Sequence, residues 1–582
     1  MTSRSSLRVA NAWGSRRVAP AADHVLGALL ECARGMPQAA AFRFLGRRAE
    51  LDTVFDYDEL LCCVAGAAGR LREAGVEPGD RVLLLCPPGP EYVVSLFGCF
   101  YAGAIAVPAY PPQFNRPAER IVTLARDAAP RLALTTEPLA ERLADLRLGV
   151  PIVPVSLARG DPSAVRPSAQ DLALIQYTSG STSTPRGVVL SHRNLVHNAA
   201  LLREGTCGGP EDRVVAWLPP YHDMGLIGAI VTPVCSGMQA VLMTPSAFMR
   251  RPIGWLEAIS QHRGTISVAP NFAYEMCVQR TTPEQRARLD LSSWRVALNG
   301  AERVHAETLE RFSRAFAGAG FSSRAFTPCY GLAEATLGVA SAKPDAAAVV
   351  RDFDPASLQA GQARRREPGQ AGRTLVACGR PLAGVSVRVV DPETRSEVTE
   401  ATVGEIWVAG PSVARGYWNQ PEASAATFGA TLEADPGTSY LRTGDLGFVH
   451  QGELFVTGRI KDLIVVLGAN HYPEDIERTA EAAHPAVRAR GVIAFASEVA
   501  SREQLVVVVE IEKPATSPKE AVARAIREAV AREHGLPVFD LVLVAPGATP
   551  KTSSGKPRRQ RCRARYEAGE LERLAGALAP AT

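Results

Sequence analysis

Short apolar runs alternate with helical spacing through the first half of the chain. Residues 81–85 form a short apolar run of buried-strand type, 91–103 carry a helical apolar period, and 104–107 are strand-like again. Residues 132–135 and 151–155 continue the alternation. Beyond a polar break at 161–168 it resumes, with strands predicted at 214–218, 240–243, 265–268 and 295–298 and helices at 254–262 and 306–317. Strands spaced by helices require crossover connections and a mostly parallel sheet. The expectation is an α/β fold of two related layers, with a ligand crevice beyond the carboxyl ends of the strands.

The pattern changes after Ala340. Residues 343–373 are rich in Ala, Arg, Gly, Gln and Pro, show no period, and read as an insertion or surface loop (about 345–373). Short strands at 386–390, 405–408 and 453–456, separated by Gly and Pro turns, predict a β-rich part at about 378–457. A compact α+β unit starts near Leu463. It has a strand at 463–466, a helix opened by Pro473 with Glu474 and Asp475 where the dipole favours acids, a strand at 504–511 and a helix at 519–534. The predicted organisation is a large N-terminal domain, 1–459, and a small mobile C-terminal domain, 460–582.

Charge removes some functions. Lys and Arg total 64 against 60 Asp and Glu, a net +4 on 582 residues, so nothing global favours nucleic acid. The most apolar stretch, 97–110, is too short for a membrane span and holds two glycines and a proline. The 11 cysteines form no CxxC pair, which predicts free thiols and a cytoplasmic protein. The first 17 residues lack an apolar core and are not expected to be a secretory signal.

Candidate chemistry begins at 177–190, YTSGSTSTPRGVVL. A strand runs into a loop of hydroxyl residues and glycines whose N–H and O–H groups suit phosphate oxygens. Arg186 adds a fixed charge, and the stretch is not a Walker A loop. Alone, a Ser/Gly stretch of this kind would be read first as a plain turn. Further motifs follow in order: WLPPYHDMG at 217–225, APNF at 269–272, NGAE at 299–302 and YGLAE at 330–334. YLRTGD at 440–445, GRIKD at 458–462 and KTSSGK at 551–556 complete the set. Together they resemble the adenylate-forming superfamily of acyl-CoA synthetases, luciferases and adenylation domains. The forms YHDMGL, YGLAEATL and GANHYPEDIE, with the long insertion before CGRP at 378–381, resemble the fatty acyl-AMP ligase branch.

The resemblance implies attack of a carboxylate on the α-phosphorus of ATP, giving acyl-adenylate and pyrophosphate. Two anions must meet, so positioning and cationic stabilisation dominate the catalysis. Thr178, Ser179, Gly180, Ser181 and Thr182 would cradle pyrophosphate, with Arg186 where many relatives carry lysine. Glu334 would hold Mg²⁺. Tyr330, Gly331, Asn299, Gly300 and Ala301 would form the adenine slot. Asp445 would accept the ribose hydroxyls, supported by Arg459. Lys556 would stabilise the developing charge, and His222, oriented by Asp223, would sit beside the reacting carboxylate. Lys461 would be the hinge between half-reactions. Taken singly, each has a plainer role: Tyr330 a core tyrosine, residues 443–445 an Asx turn, His222 a structural histidine and Lys556 a solvated lysine. Arg558, Arg559, Arg561, Arg563 and Arg565 read as a solvated helix face, or as a dock for an acidic carrier.

Three activities fit. The first is a fatty acyl-AMP ligase that passes a medium- or long-chain acyl group to the phosphopantetheine arm of a separate acyl carrier protein. The second is an acyl-CoA synthetase, against which the insertion argues. The third is a nucleotide-binding protein without catalysis. Intact Glu334, Asp445 and Lys556 oppose it, and only Arg186 speaks for it. A monomer is the default expectation.

Overall fold

The structure is a computed structural model that describes residues 22–46, 51–112, 119–146, 148–162, 167–178, 185–370, 372–466, 469–499, 502–512, 518–552 and 556–574. Two sheets form the large N-terminal part. One has six strands in the order Ile152–Pro154, Leu132–Thr135, Arg81–Leu84, Ile105–Pro108, Leu172–Thr178 and Arg186–Ser191. Its neighbours are parallel except the last pair. The other has nine strands: Arg380–Pro381, Gly338–Ser341, Phe326–Gly331, Val296–Asn299, Ile266–Ala269, Arg213–Ala216, Gln239–Met243, Ala40–Leu45 and Leu51–Asp56. It is parallel in the middle and antiparallel at both ends.

The polar break at 161–168 does not divide the sheets. The pair flanking the Ser/Thr loop completes the first sheet, and the first two strands of the chain cross to the second. One apolar cluster takes side chains from both sheets and from the helices between them, including Phe97, Leu195 and Ile227. The most apolar stretch of the sequence is thereby explained. The helix Pro90–Ala102 is buried on nearly every face, and no described helix is long and apolar enough to cross a membrane.

The β-rich part is an antiparallel sheet of Ser386–Val390, Gly404–Ala409, Asp435–His450, Ala430–Leu432 and Glu453–Arg459. The stretch read as a surface loop is in fact built. Val350–Phe353 pairs antiparallel with Arg373–Val376, and the helix Pro355–Gln359 lies between them in sequence. Phe353, Leu358 and Leu375 are buried with Phe448 and Phe455 of the β-rich sheet. Those few apolar residues are scattered among Arg, Ala and Gly, so no period betrays them.

The C-terminal part has the sheet Val487–Val499, Arg502–Ile511 and Val538–Val544. The helices Pro473–Ala482 and Lys519–His534 share its apolar core. It meets the large part across a charged seam. Arg303 and Arg373 both engage Asp475, the latter at 2.8 Å, and the Arg373 guanidinium lies 4.0 Å from the centre of the Tyr472 ring. Arg490 lies 3.7 Å from Glu302 and stacks on Phe272 at 4.1 Å, and Arg478 is 3.5 Å from Glu307. Asp475 illustrates the balance at this seam. Burial pushes its carboxyl up, but the two guanidinium groups outweigh that and bring it down to about 2.

Candidate active site

A cavity of about 1280 Å³ lies where both large sheets meet the small domain. It has a polar chamber and an apolar arm. The residues 217–223 form one wall of the chamber. Tyr92 OH donates to the Pro220 carbonyl at 2.7 Å and Gln176 Nε2 to the Tyr221 carbonyl at 2.8 Å, fixing the backbone on either side. His222 Nδ1 lies 2.6 Å from Asp223 Oδ1. Asp223 also accepts from the Met224 N–H at 2.7 Å, capping the π-helix Met224–Val231 that follows. Burial pushes the Asp223 carboxyl up. His222 and Lys556 beside it more than offset this and hold it below the usual carboxylate range.

Lys556 is therefore no solvated lysine. It borders the same cavity, where burial and nearby Arg459 push its ammonium down, only partly countered by Asp223, Glu302 and Asp445. Its loop is closed by the Thr552 N–H donating to the Lys556 carbonyl at 2.8 Å, with the Lys556 N–H donating back to Thr552 Oγ1 at 3.0 Å.

Asp445 lies within the strand Asp435–His450, opposite Arg459, rather than in a turn. Gly444 interrupts the strand with φ +70°, a conformation that favours glycine. Tyr330 OH donates to Asp445 Oδ2 at 2.7 Å, and Arg459 Nε is 2.9 Å from Oδ1. Three expected nucleotide residues thus form one cluster. Glu334 sits in the 3₁₀ turn Ala333–Ala335 and accepts from Tyr417 OH at 3.0 Å. Burial raises its carboxyl.

The remaining expected residues are placed as follows. Asn299 and Gly300 do not border the cavity; Ala301, Tyr330 and Gly331 do. Asn299 is fully buried, and its Nδ2 donates to Asn271 Oδ1 at 3.4 Å. Gly300 and Gly331 act through close backbone approach. A Cβ would meet the Cys329 carbonyl at 2.8 Å in the first case and the Leu337 carbonyl at 1.8 Å in the second. Arg186 lies over the Tyr417 ring, 5.1 Å from its centre, and so reaches the Glu334 side of the site through an aromatic neighbour. Thr178 Oγ1 donates to the Arg186 carbonyl at 3.5 Å. Ser179, Gly180, Ser181 and Thr182 lie outside the described residues. Lys461 lies in the 3₁₀ turn Ile460–Asp462 at the start of the small domain. Arg559 is not solvated. Its side chain is only 10% exposed and bridges Glu477 and Asp462. Motif reading missed Gln176, Tyr417, Arg303 and Asp475. Asp475 falls inside GANHYPEDIE, and its signal was available as an acid at a helix start; the others have none.

The apolar arm runs beneath the nine-stranded sheet. Leu202, Gly205 and Thr206 line it from the helix His192–Gly205 and its end, Gly228 and Thr232 from the π-helix and its continuation, and Val214, Ile266 and Leu298 from the sheet. Met238 also lines it. The Thr232 hydroxyl is buried with no hydrogen-bond partner among the described residues.

Residues 29–418 match the AMP-binding enzyme family. The chain belongs to the AMP-binding enzymes, in their fatty acyl-AMP ligase branch. Residues 461–575 of this ligase match the AMP domain of the Disco-interacting protein 2-like family. The enzyme is 43% identical to the medium-chain-fatty-acid–[acyl-carrier-protein] ligase JamA of Moorena producens strain JHB, over 85% of this chain and 87% of JamA. It is 41% identical to the long-chain-fatty-acid–AMP ligase FadD26 of Mycobacterium marinum, over 95% and 99% of the two chains. The crystal structure of the fatty acid AMP ligase from Legionella pneumophila superposes with a TM-score of 0.75 at 37% identity, covering 95% of this chain and 98% of that one.

Proposed function

We propose that this ligase activates a medium- or long-chain fatty acid with ATP and Mg²⁺, giving acyl-AMP and pyrophosphate, and passes the acyl group to the phosphopantetheine thiol of a separate acyl carrier protein. The products serve lipid or polyketide assembly, and the enzyme acts as a cytoplasmic monomer. One observation carries the reading: a single cavity joins an apolar arm to a chamber where His222, Asp223, Glu334, Asp445, Arg459 and Lys556 converge. An acyl tail fits the arm. Its carboxylate then lies near His222, at the foot of the π-helix.

In this reading Asp445, clasped by Tyr330 and Arg459, takes the ribose hydroxyls, and the Ala301–Tyr330–Gly331 edge takes the base. Ser179, Gly180, Ser181 and Thr182, with Thr178 and Arg186, take the pyrophosphate end. Lys556 meets the charge that builds on the α-phosphoryl oxygens, at a site whose burial strengthens that interaction. Glu334 fits a hard cation. With Tyr417 bonded to one carboxylate oxygen, the buried Glu334 would share a metal with phosphate and water. Mg²⁺ bound there would neutralise phosphate charge. We assign 1–459 and 460–582 as the two domains, with Lys461 as the pivot between half-reactions.

A second reading, an acyl-CoA synthetase, draws on FadD21 of Mycobacterium tuberculosis, named a putative fatty-acid–CoA ligase and 39% identical. A panel of fatty acids with labelled ATP, Mg²⁺ and either CoA or a holo acyl carrier protein separates the two. Acyl-adenylate that survives CoA and is consumed by the carrier is the expected result. Prompt acyl-CoA formation would overturn it.

A further inference from the structure

Arg559 occupies an unfavourable place for a cation. It opens the helix Arg559–Glu567, at the end where the helix dipole repels positive charge, and its side chain is only 10% exposed. Three carboxylates surround it. Its Nε and Nη2 donate to the two oxygens of Glu477 at 2.8 and 2.7 Å, its Nη1 donates to Asp462 at 3.1 Å, and Glu474 is 3.7 Å away. Glu477 is itself buried, and burial raises its carboxyl against the pull of Arg559. It also accepts from the Ala494 N–H at 3.1 Å, which fixes it to the central sheet of the small domain.

What this cluster joins is specific. Arg559 lies three residues beyond Lys556, and Asp462 directly follows Lys461. The next residue, Gln560, donates to the Lys461 carbonyl at 2.6 Å. The base of the lysine loop and the turn Ile460–Asp462 are therefore tied side to side, although 97 positions separate Arg559 from Asp462 along the chain. The two ends of the lysine loop also pair, with the Arg558 N–H donating to the Pro550 carbonyl at 2.9 Å, so the Arg559 cluster orients the paired ends as a unit. A misplacement of about 1 Å costs on the order of a hundredfold in rate.

We propose that Arg559 is a positioning residue for Lys556: forked on Glu477 and reaching Asp462, it sets the lysine loop against the pivot turn so that the ammonium arrives beside Asp223. The inference rests on the reading of Lys556 as the adenylation lysine. It assigns a role to a residue that borders the cavity but whose guanidinium is engaged by Glu477 and Asp462, so that it acts through Lys556.

The test measures fatty acid-dependent pyrophosphate release in the full-length protein, with Mg²⁺ and saturating acid. Lys556→Ala is the reference, expected to lose about a hundredfold or more in kcat. Arg559→Gln should lose at least about tenfold in kcat with the KM for ATP within about twofold, because binding groups stay in place. Arg559→Lys should recover little, since an ammonium cannot fork across a carboxylate. Gln560→Ala and Asp462→Asn remove single ties and leave the buried Glu477 pair intact, so they keep the test open if Arg559→Gln does not fold. Each should lower kcat by severalfold with the melting temperature preserved. Full kcat in both milder variants, or in folded Arg559→Gln, would overturn the positioning role. A defect in KM and kcat together would assign Arg559 to general structure instead. If Lys556→Ala retains its rate, the lysine reading itself falls, a result distinguishable from the others.

Discussion

The polar chamber and the apolar arm of one cavity are built by different rules. The chamber draws single residues from many places: Asp223 before a π-helix, Glu334 in a 3₁₀ turn, Asp445 in a long strand, Lys556 in a loop of the other domain. The three carboxylates have fixed side-chain partners at hydrogen-bond distance, and Lys556 is held through its backbone bonds to Thr552. The arm takes whole faces of regular elements, and its residues touch whatever lies in the lumen through shape alone. Charge must be placed to a fraction of an ångström, whereas apolar contact tolerates any side chain of the right volume. Losses in the chamber should therefore appear as rate, and changes in the arm as choice of acid.

The strongest test of that division is Lys556→Ala, expected to cut acyl-adenylate formation by about 10²- to 10³-fold for every acid alike. A loss that depended on chain length would break the distinction. Asp445→Ala comes next. It removes the group that Tyr330 and Arg459 clasp, and should cost about tenfold or more in kcat/KM for ATP with acid preference unchanged.

In the arm, Gly228→Phe should reduce kcat/KM for dodecanoic acid by about tenfold or more and spare hexanoic acid. Gly228→Ala should be mild, because its Cβ would stand 3.5 Å from Leu337 Cδ2, an ordinary contact. Equal loss for both acids in the Phe variant would mean that the glycine serves the fold and not the lumen. The smallest effect is expected from pH. Burial lowers the Lys556 ammonium from its ordinary 10.5, so the charged form is complete at low pH and is lost early as pH rises. Adenylation should therefore decline on the alkaline side before a solvated lysine would lose its proton. A pH profile of kcat that stays flat to that limit would remove the ammonium from the rate-determining step.

The same contrast explains what could be read from the sequence. Strands such as Leu132–Thr135 and Ser386–Val390 and the helix Lys519–His534 stand where periodicity put them, because burial on regular elements writes a regular pattern. Asp445, Tyr330, Arg459 and Lys556 came from ordered motifs and do meet around one cavity. The seam residue Arg303 and the ring of Tyr417 carry no pattern of their own; they matter through residues far along the chain. Sheet membership was also hidden, since nothing local says that Ala40–Leu45 pairs with Gln239–Met243. The arm was illegible for the converse reason. Val214, Ile266 and Leu298 look like any core residues, and only the placement of three elements around them leaves a lumen.

The π-helix at Met224–Val231 gives that lumen a numerical basis. Its hydrogen bonds span five residues where an α-helix spans four, with the Thr232 N–H donating to the Ile227 carbonyl. Removing one residue from this stretch would favour the tighter α winding, narrow the coil and change which side chains it presents to the lumen. Acid preference in this protein is thus open to alteration by a deletion as well as by a substitution, because the bore depends on how many residues wind past it and not only on which ones they are.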